Sequence, residues 1–227
     1  MARIDGRKPD ELRQMVCKAG VIPNANGSAY FGFGKTRAIA AVYGPRTVFP
    51  KFKTLSTRAL LQTTYAMAPF STTERVNPGP SRRTQEISLV TRHALEPALF
   101  LDEFPKSAID VFVMIVSAEA GTRTAGINAA SVALADAGMP MKDLVAAVAA
   151  GKIGDDYVLD LVGEEEDQTD CDLPIAIMPR TGKFTLMQLD GDLPKEDIKK
   201  VVMLAKAGCE KVYDVQKKAL LERWGKK

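Results

Sequence analysis

Ala108-Ile109-Asp110-Val111-Phe112-Val113-Met114-Ile115-Val116-Ser117, followed four residues later by Thr122-Arg123-Thr124-Ala125-Gly126-Ile127-Asn128-Ala129-Ala130-Ser131-Val132-Ala133-Leu134-Ala135-Asp136-Ala137, decides how the chain folds. The first run is apolar and rich in β-branched residues, which predicts a buried strand. In the second, Ile127, Ala130, Leu134 and Ala137 recur at helical spacing, which predicts a helix packed on that strand.

Upstream, residues 15–21, 28–33, 37–43 and 58–67 are short apolar or alternating runs and predict strands, with Asn26-Gly27 as a turn between the first two. Residues 68–81 are polar and rich in proline, which predicts a loop. A helix is expected over 83–99, with Ile87, Val90, Ala94 and Leu95 as its apolar stripe. Downstream, 144–150 fits a strand by its shortness and a helix by its alanines. Residues 157–162, 173–178 and 184–189 predict three strands, and a long amphipathic helix runs from Lys195 to about Trp224. No linker divides the chain. The expectation is one α+β domain over 1–227, a mixed sheet packed with helices, strand-rich to about residue 80 and carrying its Arg-bearing helix starts beyond.

Hydrophobic residues make up 46% and charged residues 26% of the chain, which excludes a disordered protein. The net charge of +3 is too small to argue for nucleic acid by itself, so such a case must rest on particular arginines. No apolar run approaches the roughly 20 residues of a membrane span, and Met1 to Arg7 has no apolar signal region. Cys17, Cys171 and Cys209 are odd in number and far apart, which fits free thiols. Together these predict a cytoplasmic protein.

Three places carry chemistry. In Pro80-Ser81-Arg82-Arg83-Thr84-Gln85-Glu86, Ser81 suits an N-cap, which puts both arginines in the first helical turn, where the macrodipole disfavours cations. A bound anion would compensate, since a helix start offers free N–H groups and arginine grips phosphate bidentately. The alternative is an Arg83–Glu86 surface pair with Arg82 solvated. Ala120-Gly121-Thr122-Arg123 repeats the pattern at a second predicted helix start. There, glycine permits close approach of an oxyanion, and Thr122 and Arg123 supply donors. The third place is the acidic run Glu164 to Asp172, whose last carboxylate abuts a strand that must be buried. Carboxylates opposed to arginines suit phosphoryl transfer, by holding Mg²⁺ or protonating a leaving oxygen.

Other residues carry less. His93 lies in the predicted helix beside its apolar stripe and reads as structural. Cys171 has no second Cys or His nearby and reads as a small residue entering the sheet. Arg46 to Lys53 interleaves basic and aromatic side chains. That suits single-stranded RNA, through Lys51 and Lys53, and equally suits a solvated loop with two packed phenylalanines.

Taken in order, Asp5-Gly6-Arg7, Asp10-Glu11-Leu12-Arg13, Asn26-Gly27-Ser28, the segment 38–45, Met67-Ala68-Pro69-Phe70-Ser71, Pro80-Ser81-Arg82-Arg83, Gly121-Thr122-Arg123, Ala129-Ala130-Ser131 with 134–138, and Leu173 to Pro179 resemble the RNase PH family. Within it, they are most similar to the catalytic ring subunits of archaeal exosomes, over nearly the whole chain. The resemblance implies a phosphate-dependent 3′→5′ exoribonuclease releasing nucleoside diphosphates. By the same resemblance, Arg82 and Arg83 bind the RNA 3′ end, Gly121, Thr122 and Arg123 hold inorganic phosphate as co-substrate, and two acidic residues support catalysis and Mg²⁺. The family places those two aspartates six residues apart. Here Glu166 lies six before Asp172 and Asp167 lies five before it, and Asp167 with Asp172 is the favoured pair. Implied partners are single-stranded RNA, a paralogous inactive RNase PH-like subunit alternating in a six-membered ring, and RNA-binding cap subunits. Two other roles are a homo-oligomeric bacterial-type RNase PH trimming tRNA ends and a non-catalytic subunit guiding RNA. Retention of the arginines, Thr122 and Asp172 speaks against the second.

Overall fold

A computed structural model describes residues 3–166 and 168–225. In chain order the elements are β1 (Met15–Ala19), β2 (Gly27–Phe33), β3 (Thr36–Thr47), β4 (Leu60–Met67), α1 (Arg82–Leu95), β5 (Ser107–Ser117), α2 (Thr122–Asp136), β6 (Ala146–Ile153), β7 (Asp156–Leu159), α3 (Gly163–Glu166), β8 (Cys171–Met178), β9 (Lys183–Met187), β10 (Asp190–Gly191) and α4 (Lys195–Trp224).

Among the described residues these strands form two five-stranded sheets where the sequence suggested one. The first has the order β1-β2-β3-β5-β4, and the second runs β10-β8-β6-β7 with β9 also on β8. The first is mixed, because β4 lies parallel to β5 while its other pairs are antiparallel. A parallel pair needs a long crossover, and residues 68–106, including α1, supply it.

The helix α2 lies between the sheets, touching β2, β3 and β5 of one and β6 and β8 of the other. All but three of its fifteen residues are buried, so its apolar stripe widens into a full circumference. Its alanines, glycine and serine let both sheets approach closely, and one apolar core runs through both. Of the segment 144–150, residues 146–150 open strand β6, and their alanines serve close packing on α2 and α4.

Because β7 pairs only with residues 150–153, the earlier edge of β6 has no strand beside it among the described residues. Side chains from two helices complete it. Asn128 accepts from the Ala147 N–H and donates to its carbonyl, both at 2.8 Å. The Ser131 hydroxyl accepts from the Val145 N–H at 2.8 Å, and Gln216 Nε2 donates to the Val145 carbonyl at 3.0 Å. Interior polar residues here stand in for a strand, as buried backbone groups require.

Other departures have local causes. The α-helix expected to Leu99 stops at Leu95 and tightens into a 3₁₀ turn, Glu96–Ala98, because Pro97 has no N–H to continue it. In β5, Phe112 and Met114 face outward at 42% and 43% exposure, so only one face of that strand is core. Strand β7 ends at Leu159 because Asp160 turns the chain with φ 55.

Replacing Asn128 with leucine should lower the unfolding free energy by about 2–4 kcal/mol, since two interior backbone groups lose their partners. Urea denaturation at unchanged m-value would measure it. A loss under about 1 kcal/mol would mean that the β6 edge does not depend on this side chain.

Candidate active site

Both arginine-bearing segments begin helices, as their capping residues dictate. Ser81 caps α1 through a reciprocal box: its hydroxyl accepts from the Thr84 N–H at 3.1 Å, and Thr84 Oγ1 accepts from the Ser81 N–H at 2.9 Å. Arg82 and Arg83 occupy the first turn, exposed, with no acidic residue there to offset them. Gly121 caps α2 in the left-handed region, φ 66. A side chain there would be strained and its Cβ would sit 3.3 Å from both Arg13 Nη2 and Thr124 Oγ1. The first turn of α2 likewise has no acid.

Glu86, one turn into α1, does not pair with Arg83. Its Oε1 lies 3.6 Å from Arg123 Nη2 and accepts from Gln188 Nε2 at 3.2 Å, joining the two helix starts to the β9–β10 connection. The Arg123 Nε is buried with no partner.

Opposite these cations stands an acidic cluster. Strands β8 and β10 place Asp172 directly across from Asp190. Burial pushes the Asp172 carboxyl up to about 6, Glu166 and Asp190 push the same way, and Arg123 pulls back. Its Oδ1 is buried and unpartnered.

The structure thus gathers Gly121, Thr122, Arg123, Arg83 and Asp172 into one region, with Arg82 beside Arg83. Asp167 lies outside the described residues, and among the described residues of that loop Glu166 acts on Asp172. Lys51 and Lys53 occupy an exposed 3₁₀ turn, and Lys53 borders a groove with Ser88 and Arg92, farther along α1. Beside them Phe49 and Phe52 are each 84% exposed, so these rings are not packed. His93 is exposed instead of lying against the core, with Nε2 3.2 Å from Arg92 Nη2. Cys171 is buried in β8 as a small strand residue.

The N-terminal motif holds the region together. Buried Arg13 grips Asp160 with Nη2–Oδ1 at 2.6 Å and Nε–Oδ2 at 2.9 Å, and its Nη2 also reaches the Ala120 carbonyl at 3.3 Å. Ala120 immediately precedes Gly121, and Asp160 lies four residues before Glu164, where the acidic run begins. Arg3 reinforces that loop through a buried bidentate pair with Glu165, at 2.9 and 2.6 Å, and donates to the Asp160 carbonyl at 2.9 Å. Arg7 donates to the same carbonyl at 3.0 Å.

Sequence reasoning missed Glu86, Gln188, Asp190 and Tyr65. Asp190-Gly191 reads as a turn, and only strand register places its carboxylate at the site. Tyr65 reads as a core position of β4.

Because the folded value of Asp172 is raised above its ordinary 3.8, the unfolded chain ionises first as pH rises, and stability falls between about pH 4 and 6. In the presence of a chelator, Asp172→Asn should therefore be about 2 kcal/mol more stable than the wild type at pH 7.5, with the difference gone below pH 4. Denaturation at the two pH values tests this, and a destabilised variant at pH 7.5 would contradict it.

Comparison with known proteins bears on the family and the fold. The family model "3′ exoribonuclease family, domain 1" matches residues 11–140, and "domain 2" matches 143–208. The chain is 52% identical over 223 residues to "Exosome complex component Rrp41" of Methanopyrus kandleri, covering 98% of this chain and 93% of that one. It is 55% identical over 222 residues to the protein of that name from Pyrococcus furiosus, covering 98% and 89%. The crystal structure of rice Rrp46 superposes with a TM-score of 0.87 at 24% identity, covering 96% of this chain and 99% of that one, a likeness of fold. The chain belongs to the 3′ exoribonuclease family of RNase PH type.

Proposed function

We propose that this chain is a phosphate-dependent 3′→5′ exoribonuclease, the active subunit of an archaeal exosome-like ring. The observation that carries the reading is the opposition of a cationic cradle, with Arg123 Nε unpartnered, to a carboxyl whose Oδ1 is equally unpartnered and whose pKa is raised by burial to about 6. Phosphoryl transfer needs little more than positioning and charge compensation, and both halves are supplied.

In this mechanism an oxygen of inorganic phosphate, held by Thr122, Arg123 and the α2 start, attacks the terminal phosphorus of an RNA strand. The bond from that phosphorus to the 3′ oxygen breaks. Arg82 and Arg83 hold the phosphodiester, and their charge offsets that developing on the transferring group. Asp172 in its carboxyl form hands a proton to the departing oxygen. The products are a nucleoside diphosphate and an RNA one residue shorter. Since phosphate attacks in place of water, the class is nucleotidyl transfer and not hydrolysis.

Ionised, Asp172 with Glu166 and Asp190 near it suits a cation, whose charge would neutralise the same leaving oxygen. No group of three or more His, Cys, Asp or Glu positioned for a metal occurs among the described residues. Mg²⁺ would be held there by Asp172, with waters and substrate phosphates as its other ligands.

A net charge of +3 provides no broad basic face, so a single copy should hold RNA weakly. We place it in a ring alternating with an inactive paralogue that adds basic residues, with RNA-binding cap subunits above. Exposed Phe49 and Phe52, beside Lys51 and Lys53, suit stacking on a single strand. No helix among the described residues is long and apolar enough to cross a membrane, and three free cysteines suit a reducing compartment such as the cytoplasm.

With labelled RNA, the assembled ring should release nucleoside diphosphates only when phosphate is present. Arg123→Ala or Asp172→Asn should lower the rate about 100-fold or more. Nucleoside monophosphates released without phosphate would overturn the reading. The isolated chain should be weakly active and strongly salt-sensitive, and the paralogue should raise activity together with native mass. A homo-hexamer equally fast alone would refute the partner requirement.

A further inference from the structure

Tyr65 lies inside β4 on the face toward α2 and is 3% exposed. Its N–H donates to Ser88 Oγ of α1 at 2.9 Å, fixing the residue against one helix. Its ring lies along the other: a Cβ on Gly126 would stand 3.7 Å from ring atoms Cδ2 and Cε2. Gly126 follows Thr122 by one helical turn on the same face, and Thr122 opens the helix. The charges of both Arg83 and Arg123 reach the phenol.

The hydroxyl itself has no hydrogen-bond partner, although it is buried. Thr122 is near enough to bias it, but no bond of ordinary geometry joins the two. Leaving a buried hydroxyl unpaired is costly, and phenylalanine would fill the same space without that cost. Burial holds the phenol above its ordinary value against the pull of Thr122 and the two arginines, so near neutral pH it remains a donor. Arginine also only donates. A ligand satisfying all three must be rich in acceptor oxygens.

We propose that the Tyr65 hydroxyl is a direct donor to a phosphate-class oxyanion bound between the starts of α1 and α2, a substrate contact supplied from beneath by the sheet. The inference rests on the phosphorolytic reading for its ligand. The oxyanion has two possible sources, the attacking inorganic phosphate and the scissile phosphodiester, and kinetics separate them.

The test uses Tyr65→Phe in the assembled ring, varying phosphate at saturating RNA and RNA at saturating phosphate. Inorganic phosphate as the ligand predicts a KM for phosphate raised about tenfold with little change in the KM for RNA. The reverse pattern assigns the contact to the phosphodiester. Thermal melting supplies a readout that a purely structural hydroxyl would not give. Without phosphate the variant should melt no lower than the wild type, and the upward shift that inorganic phosphate gives the wild type should shrink. Unchanged KM values for both substrates, or a lower melting point without phosphate, would overturn the proposal. If the wild-type ring proved not to be phosphorolytic, that reading would fall by itself. The loss of the phosphate-induced shift in Tyr65→Phe would still establish the contact.

Discussion

The buried pairing of Arg13 with Asp160 is the constraint through which the two halves of the site depend on each other. Its side chains are 5% and 3% exposed, so neither charge could be left alone there without a large desolvation cost. The guanidinium is also bonded to the carbonyl before Gly121, so one side chain fixes both the entry to α2 and the exit from β7. The left-handed turn at Asp160 is held further by the backbone N–H of Arg13 on its carboxylate, at 2.9 Å. Removing Arg13 would strand a carboxylate in the interior and free the Ala120–Gly121 turn and the acidic loop to move independently.

That clamp matters because the cations and the acids belong to different sheets. The arginines rise from helices packed on the first sheet, and Asp172 and Asp190 lie at one end of the second. Between them α2 serves as a spacer whose small residues set the distance. Its interior polar groups, Asn128 and Ser131, are committed to the β6 backbone, so the helix cannot slide along β6 without breaking bonds in a dry environment. Rigid placement of this kind suits a reaction that relies on positioning.

Most of the elements were legible in the sequence because each has a local cause. Ser81 caps, Gly121 turns, the β5 run is apolar and β-branched, and the 195–224 helix is amphipathic throughout. What was not legible depends on register and on relations between layers. The division into two sheets follows from which strands pair, and no local pattern encodes that. The opposition of Asp190 to Asp172 exists only through the β10–β8 ladder. Glu86 had an evident local partner in Arg83, yet tertiary packing gave it Arg123 and Gln188. The role of the N-terminal arginines was equally hidden, since Arg13 and Asp160 are separated by 147 residues.

Each local feature of the site is unfavourable by itself. Two helix starts carry arginine where the dipole disfavours it, and a carboxyl is buried beside two others. A stable fold would not accumulate these faults in one place without something to offset them. The faults are complementary: the helix starts want negative charge, and the carboxyls want either a proton or a cation. A bound anion would meet the first need, and a proton or a cation at Asp172 would meet the second. Within the chain Glu86 meets Arg123 only at 3.6 Å, so most of the charge at the two helix starts is left free to act on a bound anion.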